Sequence, residues 1–128
     1  MKALPFIAAA ALLLSAGAGL AAAPAANVAG TWDIDTVTVG RTIKIECKLT
    51  QTGATLGGIC GLAGATGDGL SQIAGTVDGS SAKWNYEAKL GTNTLKIAFD
   101  GQVRSAAAMD GTMDNTGNKS AFTAAKRP

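Results

Sequence analysis

Two cysteines and the residues between them constrain the fold more than any other feature of this chain. Gly53-Ala54 lies midway between Cys47 and Cys60, and a two-residue loop with glycine first is typical of a type II′ hairpin turn. A turn there makes Thr52 face Thr55, and Cys47 face Cys60 at a rung without backbone hydrogen bonds, where side chains come closest. The spacing therefore predicts a β-hairpin with a Cys47–Cys60 cross-strand disulfide, and hence an oxidising compartment.

The first residues have the pattern of a secretory signal peptide. A positively charged residue, Lys2, precedes an almost uninterrupted apolar run from Leu4 to Leu14, which is too short to span a bilayer. Small residues follow this run. Ala23-Pro24-Ala25 fits the A-x-A rule for signal cleavage, and Gly19-Leu20-Ala21 is a second candidate site.

Cleavage before Ala26 divides the chain into a signal peptide, residues 1–25, and a single domain, residues 26–128, that we expect to be periplasmic or secreted. The formal net charge is +2, and charges of both signs alternate without a basic run. We therefore expect neither nucleic acid nor an anionic membrane surface as a partner, and no membrane anchor.

Alternation of apolar and polar residues, rather than helical periodicity, runs through residues 30–127. The alternation predicts an all-β fold with eight strands near residues 30–39, 42–51, 56–62, 73–77, 84–90, 95–104, 107–114 and 120–127. Short turns between all of them favour an antiparallel up-and-down barrel, with a two-sheet sandwich as the alternative. A turn at residues 104–106 precedes the seventh strand; a turn at Asp110-Gly111 would instead change the register of this corner.

Few side chains in this chain can perform catalysis. It contains no histidine, which excludes imidazole metal sites and the triads and dyads that use a His base. The Gly-rich segment 61–69 lacks the G-K-[ST] ending of a phosphate loop and precedes a strand. We therefore expect no catalytic residues, metal or cofactor, although an isomerase or cyclase that only confines its substrate stays open.

Aromatic residues on neighbouring inner faces form the candidate ligand site. Trp84, Tyr86 and Phe99 would supply an apolar wall, and Gln51 and Thr36 the polar contacts, as in apolar pockets with few orienting groups. The alternative is that the three aromatic side chains fill a solid core. Four glycines on inner faces fit either unfilled space or strand bends: Gly58, Gly75, Gly101 and Gly111.

Gly30-x-Trp32 on the first strand of an eight-stranded barrel resembles the calycin superfamily of lipocalins, fatty-acid-binding proteins and avidins. The resemblance implies that Trp32 packs at one end of the barrel beneath an Arg or Lys of the last strand, where Arg127 stands. The chain also resembles small exported bacterial barrel domains of unassigned function, in the segments 49–58, 75–79 and 109–112. Binding of a small apolar ligand inside a non-enzymatic barrel is the function that these features favour.

Gly30-x-Trp32 and an early disulfide are also similar to periplasmic inhibitors of secreted metalloproteases, which are barrels of about this length. That resemblance implies that Ala26-Asn27-Val28 would enter the cleft of a protease. The alternative function is therefore inhibition of a secreted hydrolase, through the N-terminus or a loop at the mouth of the barrel.

Overall fold

The structure, a computed structural model, describes residues 24–128, so the predicted signal peptide up to residue 23 lies outside the described residues. It contains one short 3-10 turn, Gly67–Gly69, and nine strands. The strands are β1 (Gly30–Thr38), β2 (Arg41–Thr52), β3 (Thr55–Leu62), β4 (Ser71–Gln72), β5 (Ala74–Asp78), β6 (Ser81–Leu90), β7 (Asn93–Ser105), β8 (Ala108–Asn115) and β9 (Asn118–Lys126). β4 and β5 are two parts of one barrel strand, interrupted at Ile73.

The strands close into an eight-stranded antiparallel barrel, which confirms the predicted fold class. β9 pairs with β1, and β3 pairs with β2 on one side and with β4 and β5 on the other, so the sheet closes on itself. The β7–β8 turn lies at Ala106-Ala107, beside the predicted position. Gly111 pairs with Gly101 within the ladder, so the alternative turn at Asp110-Gly111 is wrong.

The hairpin predicted from the cysteine spacing is present with the predicted register. Thr52 pairs with Thr55 and Cys47 with Cys60, and the two sulfur atoms form a disulfide. Gly53 has φ +62°, and the following Ala54 is not at positive φ, as a type II′ turn requires. The position of one turn thus determines which residues the disulfide can join.

The two ends of the barrel differ in which turns they carry. The Trp32 end holds the β2–β3, β5–β6 and β7–β8 turns, together with the N-terminal segment. The opposite end holds the β1–β2, β6–β7 and β8–β9 turns and the long loop between β3 and β4.

Aromatic packing fills the middle of the barrel. The ring of Phe99 lies 4.9 Å from that of Trp84 in a stacked arrangement and 5.1 Å from that of Phe122 in an edge-to-face one. Trp84, Phe99 and Phe122 are all at most 2% exposed. Edge-to-face and offset pairs of this kind add about 0.5–1.5 kcal/mol each beyond the burial of their area.

The inner glycines mark close approaches rather than unfilled space. A Cβ at Gly101 would lie 2.6 Å from the sulfur of Met109 and 3.1 Å from Phe122, so those side chains occupy the position. A Cβ at Gly75 would overlap the carbonyl of Lys83 and the side chain of Trp84. Neighbouring backbone and large side chains, rather than unfilled space, therefore account for these two glycines.

Candidate functional site

The three predicted wall residues come together on the inner faces of β6 and β7. Phe99 lies between the other two: its ring centroid is 4.9 Å from that of Trp84 and 6.3 Å from that of Tyr86. Trp84 and Phe99 are almost fully buried, whereas Tyr86 retains 7% exposure. Of this cluster, only Tyr86 thus offers a ligand any accessible surface.

Gln51 is occupied by the protein itself. Its Nε2 donates hydrogen bonds to the carbonyl oxygens of Ala26 and Gly53, both at 2.9 Å, and its Oε1 accepts one from the backbone N–H of Val28. These bonds attach the N-terminal segment to the barrel. The structure therefore gives Gln51 a structural role at the Trp32 end, where sequence reasoning placed a ligand contact.

Thr36 is likewise satisfied within the fold. Its hydroxyl donates a hydrogen bond to the carbonyl oxygen of Ala121 at 2.9 Å and lies 2.9 Å from the hydroxyl oxygen of Ser120. The side chain is 1% exposed and ties β1 to β9. We therefore correct the predicted role of Thr36, which is a bond between strands rather than a polar contact open to a ligand.

The N-terminal segment Ala26–Val28 covers the Trp32 end of the barrel. Val28 is fully buried, its carbonyl oxygen accepts a hydrogen bond from the indole nitrogen of Trp32 at 2.9 Å, and the backbone N–H of Ala26 donates to the carbonyl of Gly79 at 2.8 Å. To enter a protease cleft, this segment would have to leave the core. The geometry gives no support to inhibition through the N-terminus.

Lys126, not Arg127, is the cation above Trp32. The Lys126 ammonium lies 5.6 Å from the centre of the Trp32 ring, and the two residues pair across β9 and β1. Because neighbouring residues of a strand point to opposite faces, Arg127 points outward, where its guanidinium binds both carboxylate oxygens of Asp33 and also Glu46. These hydrogen bonds hold the pKa of Asp33 below its usual range.

The barrel wall is open on one side of β6. β5 pairs with β6 from Asp78 to Ala74, but β4 beyond the break at Ile73 pairs only with β3. The resulting cleft has a volume of about 950 Å³. We call it the side cleft. Its lining is mixed and includes apolar Leu70, Ile73 and Tyr86 and polar Asp68, Ser71, Gln72, Asn85, Glu87 and Lys89.

Two core residues line this side cleft, whereas the unsatisfied polar atom of the aromatic cluster lies outside its lining. Ile73 and Tyr86 are both 7% exposed and belong to the core. Among the described residues, the Trp84 indole N–H is the side-chain polar atom that is buried without a hydrogen-bond partner. Trp84 does not line the side cleft, so the member of the aromatic cluster that an occupant could reach there is Tyr86.

A second cleft, of about 780 Å³, lies on the outer face of β5 to β8. Its exposed lining includes Lys83, Asp100 and Lys119, so charges of both signs surround it. Trp84 and Phe99 border this cleft, but at 1% and 2% exposure their rings offer a ligand no surface. The exposed apolar lining of this outer cleft consists of two alanines, Ala74 and Ala98, whereas the side cleft is lined by the larger side chains of Leu70, Ile73 and Tyr86.

Burial raises the pKa of Tyr86 to about 12. In the unfolded chain the phenol would ionise near pH 10, so between these values the unfolded state releases a proton that the folded state retains. The full stability is therefore present below pH 10 and decreases as the pH rises through 12, by about 2–3 kcal/mol in total.

Tyr86 is the only tyrosine in the chain, so its titration can be followed directly by phenolate absorbance. We expect the phenolate titration of the folded protein to have its midpoint near pH 12. Between pH 10 and 12 the free energy of unfolding should fall for the wild type and stay constant for a Tyr86→Phe variant. A midpoint at the ordinary value of 10 would contradict the burial of this hydroxyl.

Within residues 24–128, no three His, Cys, Asp or Glu side chains are grouped so as to hold a metal ion. No helix in this part of the chain is long and apolar enough to cross a membrane. Comparisons of the chain with protein-family models, with curated proteins and with solved structures gave no match.

Proposed function

We propose that this protein is an exported, non-enzymatic barrel that binds a small, mainly apolar ligand at the side cleft. The observation that carries the proposal is the break at Ile73, which leaves β4 and β6 unpaired in front of Tyr86. The interior itself is filled by aromatic and methionine side chains, so the ligand would lie against the cluster rather than within it. Tyr86 would form the floor of the site.

The polar atoms around the side cleft define the chemistry of the ligand further. The Tyr86 hydroxyl is protonated at neutral pH, as any tyrosine is, so it would donate a hydrogen bond. A suitable ligand is therefore an apolar molecule with one acceptor, such as a carbonyl or ether oxygen. Glu87 and Lys89 at the rim are exposed and would remain in water beside it.

A calycin-like relationship and export belong to the same proposal. Trp32 at one barrel end beneath Lys126 of the last strand supports the first, since the superfamily has an Arg or Lys there. The buried Cys47–Cys60 disulfide supports a periplasmic or secreted location, because such bonds persist in oxidising compartments.

The test is whether filling the side cleft abolishes binding of an apolar molecule. Gln72→Trp places a large side chain in the cleft, whereas Ala121→Trp places the same side chain on the outer face of β9, outside both clefts described above. With a neutral naphthylamine dye as the probe, we expect Gln72→Trp to weaken binding at least about tenfold and Ala121→Trp to leave it unchanged.

Native mass spectrometry of the protein from its own host, followed by organic extraction, identifies the natural ligand. Tyr86→Phe should retain the dye but bind a ligand with an acceptor about three- to tenfold more weakly, since one hydrogen bond is lost. Equal dye binding by the two tryptophan variants would rule out the side cleft as the site. If no ligand is extracted from the protein and the protein does not bind the dye, the proposed ligand-binding function is wrong.

A further inference from the structure

The β1–β2 hairpin extends past the strands on either side of it. β1 pairs with β9 only as far as Thr36, and β2 pairs with β3 only from Ile45 onward. Residues 37–44, which we call the projecting hairpin, therefore pair with each other, and at their base the Lys44 carbonyl accepts a hydrogen bond from the Ala63 N–H. They stand out from the end of the barrel opposite Trp32.

The apolar side chains that the fold leaves in water are concentrated at this end. Among the side chains that the structure describes, the exposed large apolar ones are Val39 at 92%, Leu62 at 60% and Val37 at 58%. Val37 and Val39 belong to the projecting hairpin, and Leu62 pairs with Ile45 at its base. Scattered single exposures need no explanation, but three at one end of a small barrel indicate a contact surface.

The backbone conformation of Val39, at the tip of the projecting hairpin, is unusual for a valine. Val39 has φ +52° and Gly40 has φ +75°, which is the pattern of a type I′ turn, where Asn or Asp is favoured at the first position. A β-branched residue rarely adopts this conformation. Thr116 has a similar φ of +50° on the β8–β9 turn, but its hydroxyl accepts a hydrogen bond from the Lys96 N–H. The valine side chain at position 39 has no polar group that could form such a bond.

The charges on the projecting hairpin are all positive. It carries Arg41 and Lys44 and no carboxylate. Lys44 is paired with Asp35 at 3.2 Å, whereas Arg41 has no ion-pair partner among the described residues. An apolar tip beside an unpaired cation is complementary to an apolar layer behind negatively charged groups.

We propose that the projecting hairpin docks onto a lipid bilayer with anionic headgroups, with Val39 inserted and Arg41 among the headgroups. A protein partner is less suited to this tip, because protein hot spots are poor in Val and Leu and the projecting hairpin carries neither Trp nor Tyr. The balanced charge of the whole chain predicted no affinity for anionic membranes. Among the residues that the structure describes, the fold instead places Val37, Val39 and the unpaired Arg41 on one projection, with Leu62 at its base.

The experiment is co-sedimentation of the full protein with vesicles of pure phosphatidylcholine, and of equal parts phosphatidylcholine and phosphatidylglycerol. We expect binding to the anionic vesicles only. Val39→Asn should weaken it about tenfold, the equivalent of one buried valine. Arg41→Gln should weaken it about fivefold and reduce its dependence on salt. All of these variants carry the same N-terminal residues. A difference in vesicle binding between two variants is therefore caused by the substitution in the projecting hairpin.

Val39→Asn also separates docking from folding. Asparagine adopts a positive φ more readily than valine does, so this variant should melt about 2–5 °C higher than the wild type although it binds the vesicles more weakly. Ala106→Asn, at a turn on the opposite end, is the matched control and should bind as the wild type does. The proposal fails if the wild type ignores anionic vesicles or if Val39→Asn binds them equally well. A hairpin that instead crosslinks to a protein, with no vesicle binding, would assign the surface to a protein partner.

Discussion

Replacing Gly58 with alanine should prevent the domain from folding or destabilise it by more than about 4 kcal/mol. Gly58 has φ +120°, a region that residues with a side chain rarely adopt. A Cβ there would also overlap the carbonyl group of Lys48 on β2, which is backbone and cannot rotate away. Strand β3 would have to separate from β2 beside the disulfide.

The neighbouring glycine supplies a matched control for this prediction. Gly57 lies on the same strand without a positive φ, and a Cβ there would meet only the Thr50 hydroxyl at 3.2 Å, which can rotate away. Gly57→Ala should therefore stay within about 1 kcal/mol of the wild type in urea unfolding. If both variants unfold at the same urea concentration, the close approach at Gly58 is not a determinant of stability.

The sequence is sufficient to predict the barrel because the relevant signals are local and periodic. Alternation gives the face of each residue, and the equal separations of Cys47 from Gly53 and of Cys60 from Ala54 give the register of one hairpin. The same alternation predicts which residues of the last strand face the interior of the barrel. Phe122 and Ala124 point inward, so Lys126 must point inward as well. A contact between Arg127 and Trp32 is inconsistent with this alternation.

The parts of the site that sequence reasoning missed depend on contacts between distant segments. The role of Gln51 follows from the N-terminal segment lying across the barrel end, and no periodicity places Val28 there. The side cleft arises because β5 pairs with β6 only as far as Ala74, while β3 keeps one register through β5, Ile73 and β4. The aromatic cluster itself was predictable, because Trp84, Tyr86 and Phe99 share one face of two adjacent strands.

Reduction of the Cys47–Cys60 disulfide should lower the free energy of unfolding by about 3 kcal/mol. The two residues are separated by 13 positions in sequence, so the bond closes a short loop and restricts the unfolded chain more than the folded one. Both cysteines are fully buried, so a reductant should act only after the protein opens. Urea unfolding with and without dithiothreitol measures the difference, and reduction should add the mass of two hydrogen atoms.

A double variant, Cys47→Ala with Cys60→Ala, separates the crosslink from the packing of the sulfur atoms. Reduced wild type keeps both thiols in the core, whereas the double variant also loses their contacts, so it should be the less stable of the two by about 1–2 kcal/mol. If reduction leaves the urea midpoint unchanged, the remaining ladder between β2 and β3 is enough to hold the hairpin. The disulfide would then contribute nothing to the stability of the barrel, although its position follows from the turn at Gly53.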